Sequence, residues 1–217
     1  MSIKSQRYKL VMFDMDGTLI KGRSIFIFAE KKGFKNKLIR SLQSEKEPYE
    51  KSIEIAQFLQ GLSGTELLEI FRAIPLQKNV EKIARTLKEK NVKTAVVTDS
   101  YQFVADDLKK RFDFDYAFAN NLIIERDIVT GKIIIHNSSL KRCESGTIYS
   151  ICKGFVLDQL CTMLDINPGE VVAVGDGKVD IGMIKKAGLG IAYRASEEVQ
   201  KHADVVINDL VAVLDYI

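Results

Sequence analysis

Three short apolar runs, Tyr8–Phe13, Val92–Val97 and Val171–Gly175, each stop at an acidic or hydroxyl residue. Near-continuous apolar runs of this length are what strands buried on both faces of a parallel sheet look like. Helical spacing fills the gaps between them. Val80, Ile83, Ala84 and Leu87 share one helical face, and Phe103, Val104, Leu108 and Phe112 run similarly. Phe155, Val156, Leu160, Met163 and Leu164 form a third stretch, closed by Asn167-Pro168-Gly169, and Ile181, Ile184 and Ala187 form a fourth, stopped by Gly188. Strands alternating with helices predict a doubly wound α/β fold with a mostly parallel sheet.

Two segments interrupt the alternation. Between about Lys21 and Asn79 no strand pattern is evident, and three apolar helical faces follow one another. They are Leu38, Ile39 and Leu42; then Ile55, Phe58, Leu59 and Leu62, ended by Gly61–Gly64; then Leu67, Leu68 and Phe71, stopped near Pro75. This reads as a helical cap domain over 21–79, with 1–20 and 80–217 forming the core. From about 119 to 135, Leu122-Ile123-Ile124 and Lys132-Ile133-Ile134-Ile135 flank Thr130-Gly131, which predicts a β-hairpin turning there.

Composition excludes several classes. Apolar residues make up 46% and charged residues 28% of the 217, ordinary globular values that argue against disorder and fibrous arrays. A net charge of +3 offers no electrostatic footprint for nucleic acid. No apolar run nears the ~18 residues of a membrane span, and Met1 to Lys9 is mostly polar, unlike a signal peptide. Cys143, Cys152 and Cys161, three and unpaired by spacing, predict reduced thiols in a cytoplasm. Two histidines, His136 and His202, are too few for a His-rich zinc site.

The chemistry concentrates where the strands end. Asp14-Met15-Asp16-Gly17-Thr18 follows the first strand directly. Residues i and i+2 of an extended chain point the same way, so Asp14 and Asp16 converge on one site at the carboxyl edge of the sheet, where open α/β sheets bind ligands. Two close carboxylates need a counter-charge, most simply a hard cation such as Mg²⁺. Thr98-Asp99-Ser100 ends the second strand, Asp176 and Asp180 follow the third, and Lys153 opens the helix before it. Taken singly, each has a plainer reading: a turn after Asp14, an N-cap at Thr98 or Ser100, a solvated lysine, and a capping pair at Asp176 and Asp180. Together they make one polar crevice with room for a metal, a nucleophile and anion donors.

In that order these residues resemble the haloacid dehalogenase superfamily of phosphohydrolases, across essentially the whole chain. Asp14-Met15-Asp16-Gly17-Thr18 is similar to its first motif, Thr98 to its second, Lys153 to its third, and Gly175-Asp176-Gly177-Lys178-Val179-Asp180 to its fourth. Within the superfamily the phosphoserine phosphatases are the nearest likeness. The resemblance implies a three-layer Rossmann-like core with a small helical cap, and a Mg²⁺-dependent phosphomonoester hydrolase acting on a small metabolite. It implies Asp14 as nucleophile and Asp16 as general acid and base. It implies Mg²⁺ on Asp14, the Asp16 backbone carbonyl and Asp176, and Asp180 as an anchor behind them. Thr98, Lys153 and backbone N–H groups near Met15 and Asp99 would hold the phosphoryl oxygens. Asp16 favours an alcohol leaving group, which needs a proton where a halide does not.

Two departures bear on the substrate. Arg23 stands where those phosphatases place a cap glutamate for the substrate amine, and the segment Tyr49 to Leu62 holds no arginine. Like charges repel in a poorly solvated cleft, so Arg23, with Lys21, points to a second anionic group on the substrate instead of serine. Val179 replaces an asparagine before the last aspartate. The same chemistry would serve a phosphotransferase or phosphomutase, and Val179 and Arg23 also admit a weakened, ligand-binding member of the fold.

Overall fold

The computed structural model describes residues 7–217; the first six residues, which open both the polar stretch Met1–Lys9 and the core segment 1–20, lie outside the described residues. Strand β1 (Leu10–Phe13) leads into four helices, α1 (Ser24–Lys31), α2 (Lys35–Gln43), α3 (Pro48–Phe58) and α4 (Gly64–Arg72). Then come α5 (Val80–Glu89), β2 (Lys93–Tyr101), α6 (Gln102–Phe112), β3 (Tyr116–Glu125), β4 (Ile128–Ile134) and α7 (Lys153–Leu164). The chain closes with β5 (Val171–Gly175), α8 (Ile181–Lys186), β6 (Leu189–Tyr193), α9 (Glu197–Gln200) and β7 (Val205–Ile207). One seven-stranded sheet results, in the order β4-β3-β2-β1-β5-β6-β7. Among the described strands of this sheet, only the β3–β4 pair is antiparallel.

Alternation along β1 builds the layers. Val11 and Phe13 pack with Ile83 and Leu87 of α5 and Val104 and Leu108 of α6. Leu10 and Met12 face the other way, onto Val156, Leu157 and Leu160 of α7 and Met183 of α8. Every residue of β1, β5 and β6 is buried, as a sheet covered on both faces demands. β1 lies between β2 and β5 with Phe13 opposite Val96 and Val174, so Asp14 leaves β1 beside Val97 of β2 and Gly175 of β5. That edge beside β1 is where chain direction through the sheet reverses, the usual ligand crevice of such folds.

The helical insert is present with one helix more than its pattern predicts. α1 escapes periodicity because Ile25-Phe26-Ile27-Phe28 is a continuous apolar run rather than a stripe; Phe28 is buried against the core, and Phe26 lies beneath Arg23. The hairpin is also present, but it turns at Arg126-Asp127, not at Thr130-Gly131. Both turn residues take positive φ, +47° and +69°, the geometry that matches the twist of a two-residue hairpin. Thr130-Gly131 is instead a bulge inside β4: four steps from Val129 to Ile133 face two from Ile124 to Leu122, and Gly131 supplies φ +81°. The insert is stitched to the hairpin tip. Gly64 N–H donates to the Asp127 carbonyl (2.7 Å), Gly61 N–H to Val129 (2.9 Å), and the Asp127 carboxylate takes Ser63 Oγ and Thr65 N and Oγ1.

Candidate active site

Asp14 is the first residue past β1, and its N–H donates to the Val174 carbonyl of β5 (2.9 Å), which sets its backbone into the strand edge. Lys153, first residue of α7, is fully buried, with Nζ 2.5 Å from Asp14 Oδ1 and 2.6 Å from Asp180 Oδ1. Asp180 in turn holds the loop after β5, its Oδ2 accepting the N–H groups of Asp176 (3.0 Å) and Gly177 (2.8 Å). Thr18 Oγ1 donates to Asp176 Oδ1 (3.1 Å). Gly17 is required at its position twice over: φ is +93°, and a Cβ there would overlap the Asp176 carboxylate. One carboxylate oxygen each from Asp14, Asp176 and Asp180 lies within 4.8 Å of the others.

This cluster is short of positive charge. Burial, with the charges of Asp180 and Asp176, pushes the Asp14 carboxyl well above the usual range despite Lys153. Burial and Asp180 likewise raise Asp176. On Lys153 burial works against the charge, but Asp14 and Asp180 outweigh it and hold the ammonium protonated. The Asp180 Oδ1 atom is buried without a hydrogen-bond donor, because Lys153 approaches it closely but off hydrogen-bonding geometry. Three converging carboxylates facing one ammonium fit a hard divalent cation such as Mg²⁺, which takes oxygen ligands. The side chains brought together are Asp14, Asp176 and Asp180. The Asp16 carboxylate is not among them.

Asp16 is turned the other way, onto the start of α1. Ser24 N–H donates to its Oδ1 (2.9 Å) and Ser24 Oγ–H to its Oδ2 (3.0 Å). Burial pushes its carboxyl up to about 6, with Asp99 adding to the rise and Ser24 and Arg23 opposing it. Two acids two residues apart thus occupy unlike surroundings, one in a cluster of anions beside an ammonium and one capped by neutral donors. Ser24 Oγ also lies 3.0 Å from Ser100 Oγ.

Thr98, Asp99 and Ser100 sit on a bulge: four steps from Val97 to Tyr101 in β2 match two from Phe118 to Asn120 in β3. Bulges re-aim side chains beside active sites. Buried Asn120 pins this one, donating to the Asp99 carbonyl (2.7 Å) and to Ser150 Oγ (2.9 Å). Thr98 Oγ1 accepts the Ser100 N–H (3.1 Å). A cavity of about 480 Å³ opens above, walled by Asp14, Asp16, Asp176 and Asp180 on the core side and by Arg23, Lys51 and Ser52 on the insert side. Asp99 and Ser100 face it, whereas Thr98 and Lys153 are buried beneath its wall. Arg23 reaches Asp99 at 3.7 Å. Lys21, expected beside Arg23, is exposed and does not line the cavity. Ser100, expected as a hydroxyl ending β2, does face the cavity, whereas Ser24, Asn120 and Lys51 were not among the expected site residues. Only Ser24 had a local signal, a hydroxyl residue at the head of an apolar helix.

Among the described residues no helix is long and apolar enough to cross a membrane. The family model described as haloacid dehalogenase-like hydrolase matches residues 8–188. A phosphoserine phosphatase of Archaeoglobus fulgidus is 34% identical over 200 residues, 90% of this chain, although the chain spans only 55% of that relative's length. One from Methanocaldococcus jannaschii is 30% identical over 98% of this chain and 99% of its own. A solved substrate-bound phosphoserine phosphatase complex superposes with a TM-score of 0.83 at 27% identity, over 98% of this chain and 100% of that one. With four ordered motifs on one sheet edge and a family match over most of its length, the chain belongs to the haloacid dehalogenase-like hydrolases.

Proposed function

We propose that the protein is a Mg²⁺-dependent phosphomonoester hydrolase that works through an aspartyl-phosphate on Asp14, with 21–79 as a cap over a core formed by 1–20 and 80–217. One observation carries this: Asp14 and Asp16 emerge together from β1, yet one sits beside Lys153 in an anionic cluster while the other is held by Ser24 with its carboxyl near 6. Burial raises both carboxyls, so it is their unlike partners that divide the roles: an ammonium and a cation-binding cluster suit Asp14 as the anion, and neutral donors leave Asp16 a proton to give. A structural neighbour described as a phospho-aspartyl intermediate analogue of phosphoserine phosphatase, with a TM-score of 0.82, supports the same chemistry.

Asp14 attacks phosphorus in line, forming the carboxylate–phosphorus bond as the bond to the leaving alkoxide breaks. Asp16 delivers its proton to that alkoxide, then takes one from the water that splits the acyl phosphate and frees Asp14 and inorganic phosphate. Lys153 neutralises part of the charge next to Asp14, and the Asp99 backbone at the bulge would face the phosphoryl oxygens, with Thr98 bracing the bulge from beneath through the Ser100 N–H. Mg²⁺ would be held by Asp14, the Asp16 carbonyl and Asp176, with Asp180 behind them. Held there, such an ion would favour the Asp14 anion and would offset phosphate charge. The cap and hairpin, stitched together at Asp127, would move as one unit over the cavity. We also place the protein in the cytoplasm, which suits its three free, buried cysteines.

The test is phosphate release from a panel of phosphomonoesters, with and without Mg²⁺. Turnover that requires Mg²⁺, is stopped by EDTA and is lost in Asp14→Asn by at least ~1000-fold bears the reading out. Wild-type turnover by the Asp14→Asn variant, or turnover indifferent to EDTA, overturns it.

A further inference from the structure

We infer that the leaving group of the substrate carries an anionic group, a carboxylate or a second phosphate, and no ammonium, and that Arg23 and Lys51 receive it; this rests on the hydrolase reading above. The charges around the cavity decide it. From the insert, the charged residues on the wall are Arg23 and Lys51, and no acidic side chain of the insert lines it. Glu54, one turn from Lys51 on α3, is engaged elsewhere by Ser41 Oγ (2.8 Å) and Lys46 Nζ (2.9 Å). On the core side Asp14, Asp176 and Asp180 form the anionic cluster, and Asp16 is held by Ser24. That leaves Asp99, which already faces Arg23 at 3.7 Å. A substrate ammonium would have to displace Arg23 to reach a carboxylate and would then lie against two cations.

An anion meets the opposite situation. Arg23 makes only a long contact to Asp99 and lies over the Phe26 ring, 5.9 Å from its centroid, so most of its five N–H donors are open to the cavity. Lys51 Nζ spends one donor on the Leu42 carbonyl (2.9 Å), which fixes it at the wall with two to offer. Charge-assisted bonds from a guanidinium and an ammonium suit a carboxylate or phosphate. Apart from Ser52, the rest of the insert-side wall (Ile25, Leu42, Pro48 and Ile55) is apolar, and the volume exceeds what a phosphoryl group alone needs.

The experiment compares kcat/KM, with Mg²⁺ present, for 2-phosphoglycolate and 3-phosphoglycerate, for glycerol 1,3-bisphosphate, and for O-phosphoethanolamine and O-phosphoserine. The carboxylate or bisphosphate esters should exceed both ammonium esters by at least ~10-fold, and which of the two anions leads distinguishes carboxylate from phosphate. Arg23→Glu should lower the ratio of anionic to ammonium ester by ~100-fold, and Lys51→Gln by ~10-fold, mainly through KM. A ratio within one preparation does not depend on the folded fraction. An ammonium ester hydrolysed as well as or better than the anionic esters overturns the inference, as does a ratio unmoved by Arg23→Glu. If p-nitrophenyl phosphate also releases no phosphate, the hydrolase reading itself falls and takes the inference with it.

Discussion

Ser24→Ala is the sharpest probe of how the insert controls the chemistry. Ser24 is fully buried at the head of α1 and binds both oxygens of Asp16, through its N–H at 2.9 Å and its hydroxyl at 3.0 Å. Alanine keeps the N–H contact and deletes the hydroxyl. A hydrogen bond to a charged group is worth about 1.5–3 kcal/mol. The loss falls on the Asp16 anion, the form left once the proton has gone to the alkoxide. At ~1.4 kcal/mol per tenfold, hydrolysis of an alkyl phosphate should slow by ~10–100-fold. The Asp16 carboxyl, already near 6, should rise further, so the alkaline limb of the pH–rate profile should move up by about one to two pH units. The assay is steady-state phosphate release across esters of increasing leaving-group basicity. Phenolic and acyl phosphates depart with little need of a proton, so their rates should fall far less than those of alkyl esters. An equal loss across the series would refute the reasoning and reduce Ser24 to a packing residue.

Three further outcomes follow from the same geometry. Asp16→Asn should stabilise the fold at pH 7, because burial raises the folded carboxyl from 3.8 to about 6 and stability is therefore lost as pH rises through that interval; the gap is at most ~3 kcal/mol, and melts from pH 4 to 8 should show the advantage vanish toward pH 4. Lys153→Met strips the ammonium from buried Asp14 and Asp180 and should cost about 3–5 kcal/mol in denaturant at neutral pH, with a smaller loss when Asp14→Asn is already present. Gly17→Ala, strained at φ +93° and in overlap with Asp176, should raise the Mg²⁺ concentration for half-maximal thermal stabilisation by ~10-fold or more; an unchanged Mg²⁺ response would mean Asp176 does not hold the ion.

What could be read from the chain alone was what depends on near neighbours and on burial. The apolar runs at β1 and β5, and the 3.6-residue stripes of α5, α6, α7 and α8, carry their own period, because burial on one or both faces dictates it locally. Asp14 and Asp16 two residues apart after a buried strand, with Asp176 and Asp180 after another, were enough to expect these carboxylates around one cavity at one sheet edge, where the structure has them. The short strands β6 and β7 and the continuous apolar helix α1 lack such a period and were not visible.

Tertiary structure alone decided what each of those groups faces. Asp16 departs from the acidic cluster because α1 docks with Ser24 beneath it, and the two bulges, at Thr98–Ser100 and at Thr130–Gly131, are defined only by the pairing of β2 with β3 and of β3 with β4. Arg23 meets Asp99 across 76 positions of sequence, and Asp127 seals the insert to the hairpin across more than 60. Such contacts between distant segments leave no periodic trace, since the energy that selects them comes from closing one element on another. The sequence alone thus determined which groups are available for chemistry and on which edge. Their charge states, and which charges a substrate would meet, came only with the packing of the insert over that edge.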